Sequence, residues 1–222
     1  MRAGKLLRPL AAVLGFALVG LVAYEGYAVW RAWEKTPSTV GAALAALKDL
    51  ALSDLPDRWR EILLAVEDPG FYRHHGIDLS SPGQGMTTIT QALVKRFYFD
   101  PFRQGFAKIE QSLIARFVLD RYASKDEQLT LFLNHTYFGH FEGRDVQGFA
   151  AAAQTYFKTD FRSLSEEQFV ALVAMLIAPN ALDPVRHAQA SCARVTRIRH
   201  LLAGSCVPSG VFDPWYDRCP SG

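Results

Sequence analysis

The sequence predicts a mainly α-helical domain carried behind a single N-terminal membrane-crossing helix. Three observations predict it. An uncharged stretch, "PLAAVLGFALVGLVAY", runs from Pro9 to Tyr24 directly after Arg2, Lys5 and Arg8. Two segments open on capping boxes, Ser124 three residues before Glu127 in "SKDEQLTLFLN" and Ser165 three before Gln168 in "SEEQFVALVAMLIAP". In such a box a hydroxyl and a longer polar side chain satisfy orphan backbone N–H groups of the first helical turn. Finally, the apolar–polar alternation of strands is weak throughout.

The apolar run continues past Glu25 into "GYAVWRAW", whose Tyr27, Trp30 and Trp33 form an aromatic interface. Counted through Trp30, it is just long enough for a hydrocarbon core of about 30 Å. The cations before it keep the N-terminus in the cytoplasm and place the rest outside. A cleaved signal peptide, with "GYA" before the cut, is the alternative, and either way the body works outside the cytoplasm. Residues 1–35 thus read as cytoplasmic tip and signal anchor, and 36–51 as a juxtamembrane segment with the helical piece "GAALAALKDLAL". Residues 52–187 form the main domain and 188–222 a tail.

Half of the 222 residues are apolar and 21% charged, enough to bury a core and unlike a disordered chain. A formal charge of +2 does not point to nucleic acid. The three cysteines, Cys192, Cys206 and Cys219, all lie in the tail. Their spacing matches no zinc site, and an exported chain permits disulfides. Cys206 with Cys219 is the favoured pair, a staple on the tail that leaves the body untouched.

Four segments carry chemistry: "LLAVEDPGFYRHHGID", "GQGMTTITQALVKR", "FRQGFAKIEQSLIARFVLD" and "LNHTYFGHFEGRDVQGFAAAAQTYF". Glu67 closes an apolar run, a setting in which desolvation raises a carboxyl's pKa towards that of a working general base. The second segment brings a Gly-containing turn, hydroxyls at Thr87, Thr88 and Thr90, then Gln91 and Lys95. Backbone N–H groups, hydroxyls and a lysine at a helix start make a cradle for phosphate oxygens. Plain helix capping is the competing reading of those threonines.

Together the four segments resemble the glycosyltransferase domain of peptidoglycan polymerases, the family 51 glycosyltransferases of class A penicillin-binding proteins and monofunctional transglycosylases. "EDPGFYRHHG" resembles E-D-x-x-F-x-x-H-x-G, and "GQGMTTITQALVK" resembles G-G-S-T-I-T-Q-Q-L-x-K. "SKDEQLTLFLN", "YFG", "AAAQTYF" and "APNALDP" follow in the family's order. The resemblance implies a lysozyme-like helical fold at the bacterial inner membrane, with the domain on the periplasmic side. It implies lipid II and the growing lipid-linked glycan as substrates, polymerisation with release of undecaprenyl pyrophosphate, and penicillin-binding transpeptidases as partners. With the sequence ending at Gly222, the monofunctional type is expected.

The resemblance also assigns residues. Glu67 aligns with the general base, and Lys95, Arg103 and Lys108 with cations facing the pyrophosphate, joined by Thr88 and Gln91; solvated helix cations are the bland alternative for the three. Phe71 and His74 would shape the cleft, with Asp68 in support, capping or paired with an arginine. Mg2+ or Mn2+, often used by the family, would share the charge, although the chain has no dedicated metal-ligand spacing.

Three departures stand out. In "AKIEQ", Gln111 occupies the place of the family's second glutamate and Ala107 that of an arginine. At 100° per residue Glu110 falls within the apolar arc of Ile109, Leu113, Ile114, Phe117 and Val118, so it must find a partner or face a cleft. The expectation is that Glu110 lines the cleft in place of the missing carboxylate; a packed stem with a solvated head is the alternative. The loop "LSSP" before "GQG" is shorter than the family's. Met86 stands where a second glycine is usual, crowding the approach to phosphate. These departures keep open a non-catalytic, lipid II-binding scaffold and, third, a lysozyme-like glycan-cleaving enzyme.

Overall fold

The structure, a computed structural model, describes residues 3–47, 49–83, 85, 87–100, 102 and 105–221. Helix α1 (Ala3–Thr36) continues through a π turn, Pro37–Gly41, into the helical turn Ala42–Ala45. By length and composition, Ala12–Ala45 can cross a membrane, and only 6% of its most apolar window is buried. Phe16 is 80% exposed and Val19 67%. An apolar helix that no other part of the chain covers is suited to lipid. Its far end docks on the domain, where Ala32, Thr36 and Val40 are buried and the Thr36 hydroxyl lies 2.6 Å from that of Tyr98.

The domain is mainly helical, as expected. Helices α2 (Asp57–Glu67), α3 (Ile89–Tyr98) and α4 (Phe106–Ile114) come first. A π turn, Ala115–Leu119, extends α4 into Asp120–Tyr122, and α5 (Lys125–His135) follows. After a two-stranded hairpin come α6 (Phe149–Ala152), running into the π turn Ala153–Phe157, then α7 (Glu166–Met175) and α8 (Ala188–Leu202). Both predicted capping boxes are present, Ser124 with Glu127 and Ser165 with Gln168. A third, Thr88 with Gln91, opens α3.

The core gathers around α7, buried at every residue from Phe169 to Met175. Trp59 of α2 stacks on Phe169 with ring centroids 4.5 Å apart, and Phe161 meets Trp59 edge-on at 5.4 Å. Each such aromatic contributes about 1.5–3 kcal/mol through burial. That packing fixes α2 and therefore the position of its last residue, Glu67.

The hairpin, β1 (Tyr137–Phe141) with β2 (Arg144–Gln147), is the strand pair that the weak alternation concealed. An irregularity between Tyr137 and His140 breaks the period of two, and Gly139 has φ +97°. Its turn is Glu142–Gly143, both at positive φ (+48° and +80°), the conformation that suits a two-residue hairpin loop.

Beyond residue 187 the chain is not a loose tail. Helix α8 packs against α7 and α2, and the Cys206–Cys219 bridge is formed while Cys192 is free and exposed. The bridged loop is bonded to the body: the Tyr216 hydroxyl donates to Val66 O at 3.0 Å, and Gly83 and Gly85 N–H donate to Gly210 O and Val211 O at 2.9 and 2.7 Å. The expectation of a staple that leaves the body untouched is thus corrected.

Candidate active site

A cleft of about 920 Å³ opens between α2, α3, α4 and α8, lined among others by Glu67, Lys95, Lys108, Gln111, Arg194 and Pro214. Glu67 reaches it because α2 ends there: the backbone leaves the helix at Asp68 (φ −160°), and Pro69 follows. The Glu67 carboxyl, hemmed in by the apolar end of α2, is pushed up to about 7 by burial; Arg194 pulls the other way and Asp68 adds to the rise. Carbonyl groups at a helix C-terminus oppose an anion in the same direction.

Asp68, fully buried, accepts from Ile89 N–H at 2.9 Å, and its oxygens lie 2.8 and 3.0 Å from His74 Nε2. It caps α3, one of the two supporting roles expected of it, and ties "EDPGFYRHH" to that helix; its side-chain partner is a histidine and not an arginine. Phe71 is 1% exposed and carries Lys125 Nζ over its ring at 4.8 Å. None of Asp68, Phe71 and His74 lines the cleft. They brace the Glu67 wall from behind, because the turn after α2 folds them inward onto α3 and α5.

Among the described residues four cations line Glu67's cleft, Lys95, Arg96, Lys108 and Arg194; the two lysines are the ones the sequence predicts. Lys108 Nζ donates to Thr87 Oγ1 at 3.0 Å, and its pKa is lowered by burial and by the nearby Lys95. Lys95 Nζ stands over the Phe102 ring at 5.4 Å. Among the described residues neither forms a salt bridge with a carboxylate. Two neighbouring lysines without a counter-ion make a site for a multiply charged anion. Arg103 and Met86 lie outside the described residues.

The polar groups of Thr88 and Gln91 are committed elsewhere. Thr88 Oγ1 donates to Gly76 O at 2.7 Å and accepts from Gln91 N–H at 3.1 Å. The Gln91 side chain accepts from Thr88 N–H at 3.0 Å and donates to Ser112 Oγ at 2.9 Å. Capping therefore accounts for both, although Thr88 still lines the cleft. The N–H groups of Gly83 and Gly85, offered to phosphate by the sequence reading, are taken by the C-terminal loop. The short "LSSP" loop is closed by Asp78, which accepts from Ser80 N–H at 2.7 Å and Ser81 N–H at 3.2 Å.

At the departure in "AKIEQ", Gln111 rather than Glu110 lines the cleft. Gln111 is 1% exposed; its Nε2 donates to Gln91 O at 2.6 Å, and its Oε1 has no partner among the described residues. Residues 108 and 111 share a face of α4. Glu110 lies on the side packed against α1, where burial and then the Glu25 carboxyl raise its pKa. The expectation that Glu110 lines the cleft is corrected: the apolar arc of α4 turns to the anchor, leaving Ile109 and Phe117 exposed beside it.

Arg194 was missed. It is 4% exposed, with Nε and Nη1 unpartnered among the described residues, and its guanidinium lies 4.4 Å from the Tyr216 ring centroid and 5.7 Å from that of Trp215. The signal was the spacing: Ser191, Arg194, Val195 and Ile198 form the buried face of α8, and an arginine on such a face needs a reason. Among the described residues no three His, Cys, Asp or Glu side chains group together.

Residues 42–203 match the family model described as Transglycosylase, and the chain belongs to that family, a class of glycosyltransferases. Among named relatives, it is similar to penicillin-binding protein 1F of Bacillus subtilis (strain 168), 32% identical over 151 residues, covering 62% of this chain and 20% of the relative. Penicillin-binding protein 1B of Escherichia coli (strain K12) is 32% identical over 163 residues, 68% of this chain and 19% of the relative. Penicillin-binding protein 1A of Neisseria lactamica is 32% identical over 147 residues, 60% and 18%. The chain thus spans about a fifth of the length of these relatives.

Proposed function

We propose that the protein is a peptidoglycan glycosyltransferase that polymerises lipid II, with Glu67 as general base. The observation that carries this reading is the pairing, across one cleft, of a carboxyl titrating at about 7 with two lysines that lack a carboxylate partner among the described residues. The 4-hydroxyl of the incoming lipid II gives its proton to the Glu67 carboxylate as its oxygen bonds to the anomeric carbon of the lipid-linked glycan. The bond from that carbon to the pyrophosphate breaks with inversion. Undecaprenyl pyrophosphate departs with the electron pair, its charge met by Lys95 and Lys108. No step is routed through a metal. In this reading α1 anchors the domain on the outer face of the inner membrane, with the N-terminus cytoplasmic, and transpeptidases consume the strands.

Gln111 at the second-glutamate position supports a second reading, a lipid II-binding scaffold without catalysis. One assay separates the two. Purified full-length protein in detergent with fluorescent lipid II is expected to give polymer, and Glu67→Gln to lose roughly 10²–10⁴-fold in rate, the range for a general base. Binding without polymer would establish the scaffold instead, and full activity in Glu67→Gln would remove Glu67 from its role.

A further inference from the structure

We propose that the disulfide-closed segment Cys206–Cys219 is a wall of the active site, and that its Trp215 and Tyr216 hold Arg194 as a positioning residue facing Glu67. The inference rests on Glu67 being the base.

The contacts run continuously from bridge to base. Cys219 is buried, with its N–H donating to Tyr216 O at 2.9 Å. Asp213 organises the loop, accepting from Ser209 N–H at 2.8 Å and Asp217 N–H at 3.2 Å. Tyr216, 1% exposed, bonds Val66 O, the residue before Glu67. Pro214 lines the cleft itself. The docking also selects the facing residue: Gly83 has φ +80°, and a Cβ there would stand 2.8 Å from both Tyr216 Cε1 and Pro208 Cγ.

Arg194 is the group that this platform holds. A buried guanidinium without hydrogen-bond partners on Nε and Nη1 is costly unless an anion or π faces compensate it. Trp215 and Tyr216 supply the faces. The anion that shares the cleft with it is Glu67, whose ionised form Arg194 favours against burial. The groups acting on Glu67 are Asp68 just past the end of its helix, Arg194 from α8 and Tyr216 from the loop, while Lys95, Arg96 and Lys108 line the same cleft. Of these Asp68 opposes ionisation and Arg194 is the buried cation favouring it. Arg194 therefore keeps a half-buried carboxyl usable as a base near neutral pH, and the bridged loop keeps Arg194 in place.

The test is the pH profile of kcat/KM for lipid II polymerisation by the full chain in detergent. Arg194→Met is expected to move the acidic limb to higher pH; a shift of one pH unit lowers the rate well below the limb, relative to the plateau, roughly tenfold. Arg194→Lys should restore the limb. Tyr216→Leu and wild-type protein with its bridge reduced should shift it in the same direction, so the inference remains testable if Arg194→Met does not fold. A limb that stays in place in these proteins while their melting temperatures fall would make the loop purely structural and overturn the inference. Full activity in Glu67→Gln would instead overturn the assignment of the base, a separate outcome.

Discussion

Adjacent carboxylates at the end of one helix have opposite fates here. Asp68 faces inward, onto a helix N-terminus and a histidine, whereas Glu67 faces the cleft with its pKa at about 7. The unfolded chain ionises Glu67 near its ordinary value of 4.5. Between those values the unfolded state has released a proton that the folded state still holds. The neutral carboxyl's contribution to stability is thus complete below 4.5 and is lost as pH rises through about 7. Glu67→Gln, fixed in the neutral form, should gain melting temperature relative to wild type as pH is raised across this window. A difference independent of pH would show that Glu67 titrates normally. Glu67 was legible in the sequence because an apolar run ending in Glu is a local feature. Glu110 was misread because periodicity gives an angle around a helix but not what lies at that angle, here the anchor helix.

At the level of elements, the capping boxes were legible and the hairpin was not, since its irregularity sits where alternation would be counted. Gly76 shows why one motif position takes glycine. It has φ +83°, and a Cβ would approach Ala115 O to 2.5 Å, at the start of the π turn that extends α4. Its own carbonyl accepts from Thr88, so this close approach ties α3 and α4 to the turn after α2. Gly76→Ala should cost roughly 1–3 kcal/mol from backbone conformation, with the clash adding to it. The measurement is the urea midpoint in detergent; an unchanged midpoint would mean that the turn adapts freely. Helix α8 was misplaced for a different reason: its partners, α7 and α2, are remote in sequence, and a run rich in arginine does not advertise a buried face.

For the whole molecule, the apolar length of α1 is exposed, and Ile109 of α4 and Phe117 of the π turn after it are exposed on elements that pack against α1. Attachment to lipid should therefore depend on apolar contact and resist salt, which screens only charge. Full-length protein is expected to float with phosphatidylcholine liposomes at high ionic strength, and sedimentation free of lipid would contradict that. The bond from Tyr216 to Val66 spans 150 residues, and it carries a consequence for timing. In the proposed topology, a chain exported from its anchor onwards presents Glu67, Lys95 and Lys108 before residues 206–219 arrive to finish the proposed wall beside Glu67. Synthesis and completion of the cleft are thus separate events, the second waiting for the final loop and its oxidation.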